Sequence, residues 1–168
     1  MSLGAMVAAE WARIAPGEVA GCVLINTSMR PFSPFYHRLR WPNLAPLLQL
    51  ALQWRSAYAA ERIVLRITSN RAPERSAVIA QWAVVRRQRS VSAANALRQL
   101  LAAARYRASV VAPAAPTLLL GSQQDQLVSS RCSHAIAKAW GRPLHMHPFA
   151  GHDLPLDDPQ WVIDEVLR

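Results

Sequence analysis

The chain has 168 residues, of which 52% are hydrophobic and 17% are charged. These proportions exclude a disordered chain and fit one globular domain with a sizeable core. No uncharged apolar run approaches the ~20 residues that a membrane span needs. The apolar residues 3–9 lead directly into Glu10 and Arg13 and follow no basic region. We therefore predict neither a membrane-spanning helix nor a secretory signal.

The formal net charge is +9, and strongly basic domains often bind nucleic acid or anionic membranes. All the basic residues except Lys138 are arginines scattered along the chain, with one tight group at Arg86, Arg87 and Arg89. Because no nucleic-acid-binding motif accompanies them, we expect no nucleic-acid partner. Binding to anionic polymers stays open as a hypothesis, and steep salt dependence would be its signature.

The two cysteines, Cys22 and Cys132, have neither metal-binding nor redox spacing. Two cysteines are also too few for a disulfide framework. The sequence therefore predicts a cytoplasmic protein with reduced thiols.

Residues 1–29 show the pattern of a helix followed by a strand. Apolar residues recur at helical spacing over residues 3–14, and Pro16 and Gly17 end that helix. The apolar run at residues 19–26 is typical of a strand that is buried on both faces of a parallel sheet.

Residues 30–111 differ in character, because prolines interrupt their first part and no strand is evident. Helical patterns follow at residues 44–56, 58–69, 74–88 and 91–105. Aromatic side chains lie among the arginines of this region, and helix packing explains them better than ligand contact does.

Residues 112–168 return to alternating strands and helices. The patterns predict a strand at 116–121, a helix at 129–140, a short strand at 143–149 and a final helix at 158–167. Such alternation predicts an α/β fold with a parallel sheet, in which ligands bind at the carboxyl ends of the strands.

Three residues whose side chains could take part in catalysis lie where strands are expected to end. Ser2 comes directly before the first helix, Asp125 follows the middle strand, and His152 follows the last strand. Loops at the carboxyl edge of one parallel sheet would bring the three together. Their order along the chain is serine, acid, histidine.

This order resembles that of the α/β-hydrolase family. Residues 2–6 (SLGAM) are similar to the second half of that family's nucleophile elbow, G-x-S-x-G. Residues 121–125 (GSQQD) resemble its acid loop, and Gly151-His152 ahead of a helix resembles its histidine loop. The resemblance implies a partial α/β-hydrolase fold with flanking helices, whose core comprises residues 1–29 and 112–168. Residues 30–111 would form an inserted helical cap.

The resemblance also implies the chemistry of a serine hydrolase that acts on a small ester or another acyl substrate. Ser2 would be the nucleophile, His152 the general base, and Asp125 the residue that orients the imidazole. The backbone N–H of Leu3 would donate to the oxyanion, and Gly4 would permit a tight turn and close packing. No cofactor or metal is implied.

Each candidate residue has an ordinary structural alternative. Ser2 could be a helix N-cap, Asp125 a turn residue at a strand end, and His152 a surface loop residue. A chain without catalytic function would then be a remnant or an interaction module.

Other titratable residues compete for roles near the site. Asp153 is too close to His152 in sequence to reach behind its ring, and Asp157 and Asp158 fit better as N-terminal residues of the final helix. His145 and His147 alternate on one strand and could bind a metal. Because no acidic or thiol partner lies nearby in sequence, a structural role is favoured for both.

The family pattern extends upstream of Ser2. The glycine two positions before the serine, the strand that leads into it and the earlier strands have no counterpart in this sequence. We expect Met1 to be an internal methionine of a longer protein, and the 168-residue chain to be impaired in hydrolysis. Alternatively, the short chain could pair its exposed sheet edge with a partner or with itself. A remaining hypothesis is that Met1 is removed and the new terminal amine activates Ser2.

Overall fold

The computed structural model describes residues 1–71 and 75–168, and it contains a three-stranded parallel sheet. The strands are β1 (Cys22–Ile25), β2 (Thr117–Ser122) and β3 (Leu144–His147), and they lie in that order. Each strand coincides with one of the three predicted apolar runs. The predicted α/β fold with a parallel sheet is therefore confirmed.

Helices precede, connect and follow the strands. Helix α1 (Ser2–Ile14) leads into β1 through a 3-10 turn at Pro16–Glu18. The connection from β1 to β2 contains five described helices: α2 (Phe35–Arg38), α3 (Leu44–Leu52), α4 (Ala57–Thr68), α5 (Arg75–Gln88) and α6 (Ala93–Arg105). Between β2 and β3 lies α7 (Arg131–Trp140), and after β3 come α8 (Leu154–Asp157) and α9 (Pro159–Leu167).

The long predicted helices are confirmed, with small differences at their ends. Four short elements of the described chain were not predicted from the sequence, namely α2, α8 and the 3-10 turns at Pro16–Glu18 and Trp41–Asn43. The predicted start of a helix at residue 74 lies outside the described residues. We refer to residues 30–71 and 75–111 as the helical segment.

The core lies on both faces of the sheet, because neighbouring residues of β2 point in opposite directions. Leu119 packs in a cluster with Leu24 of β1, the small residues of α1 and Ile136 of α7. Leu120 packs in a second cluster with Leu154 of α8 and residues of α9. Both leucines are fully buried, which explains why β2 is a continuous apolar run rather than an alternating one.

The helical segment has a small apolar cluster of its own, and a backbone bridge joins its two ends. Leu65 of α4 and Ile79 of α5 form an apolar cluster with neighbouring side chains. Arg86 bonds to Glu61 at 2.9 Å and stacks over the ring of Trp54 at 4.3 Å. An isolated parallel bridge joins residues 30 and 107 where the chain leaves and re-enters the sheet region.

Among the described residues, no helix has the length and apolarity to cross a membrane.

We expect Leu119→Ala to lower the free energy of unfolding by about 3 kcal/mol, because it leaves a cavity in the middle of the sheet. Leu52→Ala is the matched control, since Leu52 is 80% exposed and its loss should change stability by less than about 0.5 kcal/mol. Chemical denaturation of both variants measures the difference. Equal effects would show that Leu119 is not in the core.

Candidate active site

His152 and Asp125 form a buried hydrogen-bonded pair. His152 Nδ1 lies 2.7 Å from Asp125 Oδ2, and the two side chains are 3% and 2% exposed. Because an ionised carboxylate only accepts hydrogen bonds, Nδ1 carries the proton and Nε2 is the free nitrogen. The structure thus brings together two residues that lie 27 positions apart and that the sequence proposed as partners.

Backbone groups and the helical segment hold Asp125 in place. Its Oδ1 accepts hydrogen bonds from the N–H groups of Leu127 at 2.8 Å and Val128 at 2.9 Å. Its carbonyl oxygen accepts from Arg40 Nη1 at 2.7 Å. Both carboxylate oxygens are therefore satisfied, which compensates for the desolvation of a buried acid.

Asn26 connects the carboxyl ends of the strands, and this role was not predicted from the sequence. It follows β1, has a φ of 45° and is 3% exposed. Its Nδ2 lies within hydrogen-bond distance of Ser122 Oγ (2.9 Å) and of the carbonyls of Gly151 (3.2 Å) and His152 (2.8 Å). Its Oδ1 accepts from the Ser122 N–H at 2.8 Å. Asparagine tolerates the left-handed conformation better than most residues do, which is the only signal that could have pointed to it.

Ser2 is the first residue of α1 and has a φ of 48°, a left-handed conformation that is strained for a serine. Its carbonyl accepts a hydrogen bond from Thr27 Oγ1 at 3.0 Å, which ties it to the carboxyl end of β1. Within residues 1–71 and 75–168, no hydrogen bond joins the Ser2 hydroxyl to His152.

The chain start lies beside the histidine loop. Burial lowers the pKa of the Met1 amino group, and the carboxylate of Asp153 opposes this shift. Burial raises the pKa of Asp153, and the Leu156 N–H together with the charges of His152 and Met1 oppose that shift. The Met1 amino group and the Asp153 carboxylate therefore each influence the pKa of the other.

Two interpretations of the first helix are wrong. Met1 is the N-cap of α1, so Ser2 is not the N-cap and makes no capping bond. Gly4 lies within the helix without a positive φ, and a Cβ there would meet no described atom within 4 Å. In the described part of the chain, neither a tight turn nor close packing requires this glycine.

The other acidic residues near the site have separate structural partners. Asp158 caps α9, as predicted, by accepting from the Trp161 N–H at 3.0 Å. Asp157 is instead the last residue of α8 and bonds outside α9, so its predicted place at the N-terminus of the final helix is wrong. Asp125 is the carboxylate that contacts His152 Nδ1.

His145 and His147 both have acidic partners, contrary to the expectation from the sequence. Glu165 of α9 contacts His145 Nδ1, and Asp158 Oδ2 lies 3.2 Å from His147 Nε2. Because His147 Nδ1 accepts from the N–H groups of residues 149 and 150, its Nε2 is the donor to Asp158. In residues 1–71 and 75–168, no group of three or more His, Cys, Asp or Glu side chains could hold a metal ion.

The cysteines are free and buried, and burial raises the pKa of both thiols. Since the thiolate is the reactive form, neither Cys22 nor Cys132 has the environment of a nucleophile.

A parallel sheet covered on both faces, with loops gathered at its carboxyl edge, is the general plan of open α/β folds, in which the α/β-hydrolases are included. The sequence matches the family described as serine aminopeptidase, S33, over residues 1–159. The chain therefore belongs to this family of α/β-hydrolases. A comparison with curated proteins found no significant match.

Solved structures share the fold at low sequence identity. The BpoC protein of Mycobacterium tuberculosis H37Rv is 22% identical with a TM-score of 0.68, and the match covers 99% of this chain and 63% of that one. A thermophilic esterase from Thermogutta terrifontis is 22% identical with a TM-score of 0.65, covering 99% and 61%. A meta-cleavage product hydrolase from Pseudomonas fluorescens IP01 is 19% identical with a TM-score of 0.69, also covering 99% and 61%. The chain thus spans about three fifths of the length of these structures.

We expect Asn26→Ala to destabilise the protein by about 2 kcal/mol or more, because the change leaves the buried Ser122 N–H and Oγ unpaired. Asn95→Ala is the control, since Asn95 bonds only an exposed Arg98 through its side chain. Thermal and denaturant unfolding of the two variants measures the difference. Equal stability of both variants would contradict the connecting role of Asn26.

We expect part of the stability to be lost at acidic pH through Asp158. The Trp161 N–H and, to a smaller extent, the His147 side chain lower the pKa of Asp158 below its usual value near 4. A lowered pKa in the folded state contributes stability above the unfolded-state pKa, and this contribution disappears as pH falls through the folded-state value. The stability difference between the parent protein and Asp158→Asn should therefore shrink between pH 5 and pH 3. Asp164→Asn controls for the removal of one carboxylate from α9, and a constant difference for Asp158→Asn would contradict this assignment.

Proposed function

We propose that the protein is a serine hydrolase that cleaves a small ester or another acyl compound with Ser2, His152 and Asp125. The buried bond between His152 and Asp125 is the observation that carries this proposal. The bond leaves Nε2 of the imidazole available at the carboxyl edge of the sheet, to which Ser2 is joined through Thr27. A polarised imidazole beside a serine is the arrangement that activates a hydroxyl nucleophile.

In the proposed reaction, Ser2 Oγ attacks the acyl carbon while its proton passes to His152 Nε2. The carbonyl π bond breaks and the oxygen becomes an oxyanion, which the backbone N–H of Leu3 at the start of α1 stabilises. Collapse of this intermediate expels the alcohol, which takes the proton from His152. Water then attacks the acyl-serine by the same steps, and the carboxylic acid leaves. Asp125 keeps the proton of Nδ1 in place throughout. The side chains of the triad, the Leu3 N–H and water account for every step, so the proposed reaction uses no metal or cofactor.

We assign residues 30–111 as a cap over this site, between core parts at residues 1–29 and 112–168. Two described contacts support the cap assignment. Arg40 bonds to the carbonyl of Asp125, and Asn70 Nδ2 bonds to the carbonyl of Gln124 at 2.9 Å. The helical segment therefore rests on the acid loop. Its apolar and arginine side chains suit a small substrate with an apolar body and an anionic end.

The names of similar structures support an acyl substrate, because they include an esterase and a membrane phospholipase A. We propose a cytoplasmic location, in agreement with the free thiols, and no nucleic-acid partner. The oxyanion hole of α/β-hydrolases uses two backbone N–H donors, and Leu3 offers one of them in the described chain. Loss of a single donor slows serine hydrolases by a factor of about 100 or more. We therefore expect slow acylation.

The second candidate function is an interaction module without catalysis. The outer edge of β1 pairs with no strand among the described residues, and Val23 is 37% exposed there. Separately, Val7, Trp11 and Ile14 of α1 line an apolar groove of about 630 Å³ that residues 102–106 close on the other side. An unpaired strand edge and an exposed apolar groove both suit association with another chain or with a second copy of this one.

We expect the 168-residue chain to react with a fluorophosphonate probe at Ser2. Ser2→Ala and His152→Ala should abolish this labelling, and Asp125→Asn should slow it by up to about 10⁴-fold, because the amide stabilises the wrong tautomer. Ser90→Ala is the matched control, because Ser90 is exposed and distant in sequence from the site. Mass spectrometry locates the adduct, and circular dichroism confirms that each variant is folded.

Labelling that survives Ser2→Ala would overturn the assignment of the nucleophile. A folded chain that shows no labelling after hours would overturn the hydrolase proposal for this chain and favour the interaction module. In that case, analytical ultracentrifugation would test self-association through β1.

A further inference from the structure

Asp157 gathers four hydrogen bonds from two different parts of the chain. Its Oδ2 accepts from the N–H groups of Gly151 at 2.6 Å and Asn70 at 3.0 Å. Its Oδ1 accepts from Ser69 Oγ at 2.5 Å and from the Arg71 N–H at 3.2 Å. Gly151 directly precedes the catalytic histidine, whereas the other three donors follow α4 of the helical segment. One carboxylate thus joins the histidine loop to the helical segment.

Additional bonds connect the same two segments. The N–H of Asp153 donates to the carbonyl of Thr68 at 2.7 Å. The side-chain amide of Asn70 lies 3.3 Å from the carbonyl of Phe149. We call residues 68–71 the α4 turn and residues 149–153 the histidine loop. Contacts on both sides of His152, at residues 149, 151 and 153, therefore lead to the α4 turn.

Gly151 allows this close approach. A Cβ at this position would lie 2.7 Å from the Thr68 carbonyl oxygen and 3.0 Å from the Asn70 nitrogen. Both are backbone atoms of the α4 turn, so they cannot move aside as a flexible side chain could. The glycine brings the two backbones together, and the carboxylate of Asp157 accepts the N–H groups that this approach buries.

A carboxylate suits this position better than an amide does. All four partners are donors, and an ionised carboxylate has two oxygens that only accept. Asparagine would present an NH₂ group to two of those donors, which loses two hydrogen bonds and adds repulsion between donors. Charge-assisted hydrogen bonds are also about twice as strong as neutral ones.

We propose that Asp157 is a positioning residue for His152, which acts by fixing the histidine loop against the α4 turn. The imidazole then keeps its bond to Asp125 only while the helical segment is docked. The consequence for catalysis rests on the proposed function, whereas the coupling between the two segments does not.

The experiment compares the 168-residue chain with Asp157→Asn, Asn70→Ala and the control Asp164→Asn. Asp164 is an exposed carboxylate seven residues further along, and it bonds Gln160. Hydrogen exchange of residues 68–71 and 149–153 measures the coupling. The NMR resonance of the His152 Nδ1 proton reports the bond to Asp125, and fluorophosphonate labelling of Ser2 reports the catalytic consequence.

For Asp157→Asn we expect at least tenfold faster hydrogen exchange in the α4 turn and in the histidine loop. We also expect loss or an upfield shift of the His152 Nδ1 proton resonance. The labelling rate should fall about tenfold, and the control should match the parent chain. Asn70→Ala removes the side-chain bonds from the α4 turn to Phe149 and Gln124 and leaves all four donors to Asp157 in place, so it should produce smaller changes in the same direction. If Asp157→Asn does not fold, Ser69→Ala decides the question, because it removes one donor to Asp157 and leaves the carboxylate in place.

Faster exchange confined to the α4 turn, with an unchanged Nδ1 proton resonance, would overturn the positioning role and leave Asp157 as a local turn residue. A uniform increase across the sheet would overturn it as well, because it would indicate general destabilisation. If the parent chain does not label at Ser2, the proposed function fails, yet exchange and the proton resonance still decide whether Asp157 couples the two segments.

Discussion

The arrangement of the loops depends on a single constraint, namely that an acid and an imidazole are both buried at the edge of an apolar sheet. Burial of a carboxylate costs several kcal/mol unless each oxygen is hydrogen-bonded. Asp125 meets this requirement with two backbone N–H groups and His152. Each of those donors must itself be held in position by further hydrogen bonds, and these come from the loops that surround the pair.

These further hydrogen bonds explain the positions of buried polar residues that lie far apart in the sequence. Asn26 bonds the carbonyls of the histidine loop, and Arg40 bonds the carbonyl of the acid residue. His147 uses its Nδ1 to accept two N–H groups of the turn that leads to His152. Its Nε2 donates to Asp158, which also caps α9. The final helix and the histidine loop are thus connected through one imidazole.

The sequence predicted those features that depend on local pattern. Strand β2 is a continuous apolar run because it is buried on both faces, and the long helices follow from the periodicity of their apolar residues. The candidate pair of Asp125 and His152 could be proposed because each follows a strand of a parallel sheet. Asn26 and Asp157 could not, because their roles come from bonds to residues far away in the chain. The acidic partners of His145 and His147 were missed for the same reason.

The two halves of the candidate site are held by different kinds of force. Directional hydrogen bonds fix Asp125 and His152, and their partners come from residues beyond α1. The Ser2 carbonyl accepts one described side-chain hydrogen bond, from Thr27. Its position otherwise depends on α1, whose small buried residues pack against the sheet. Apolar packing fixes the distance of a helix from a sheet well, but it restrains rotation of a single terminal residue weakly. The left-handed φ of Ser2 is therefore maintained at the point where the site has the fewest restraints. Core substitutions should displace the nucleophile, whereas changes in the polar network should displace the base, so the two perturbations affect the site independently.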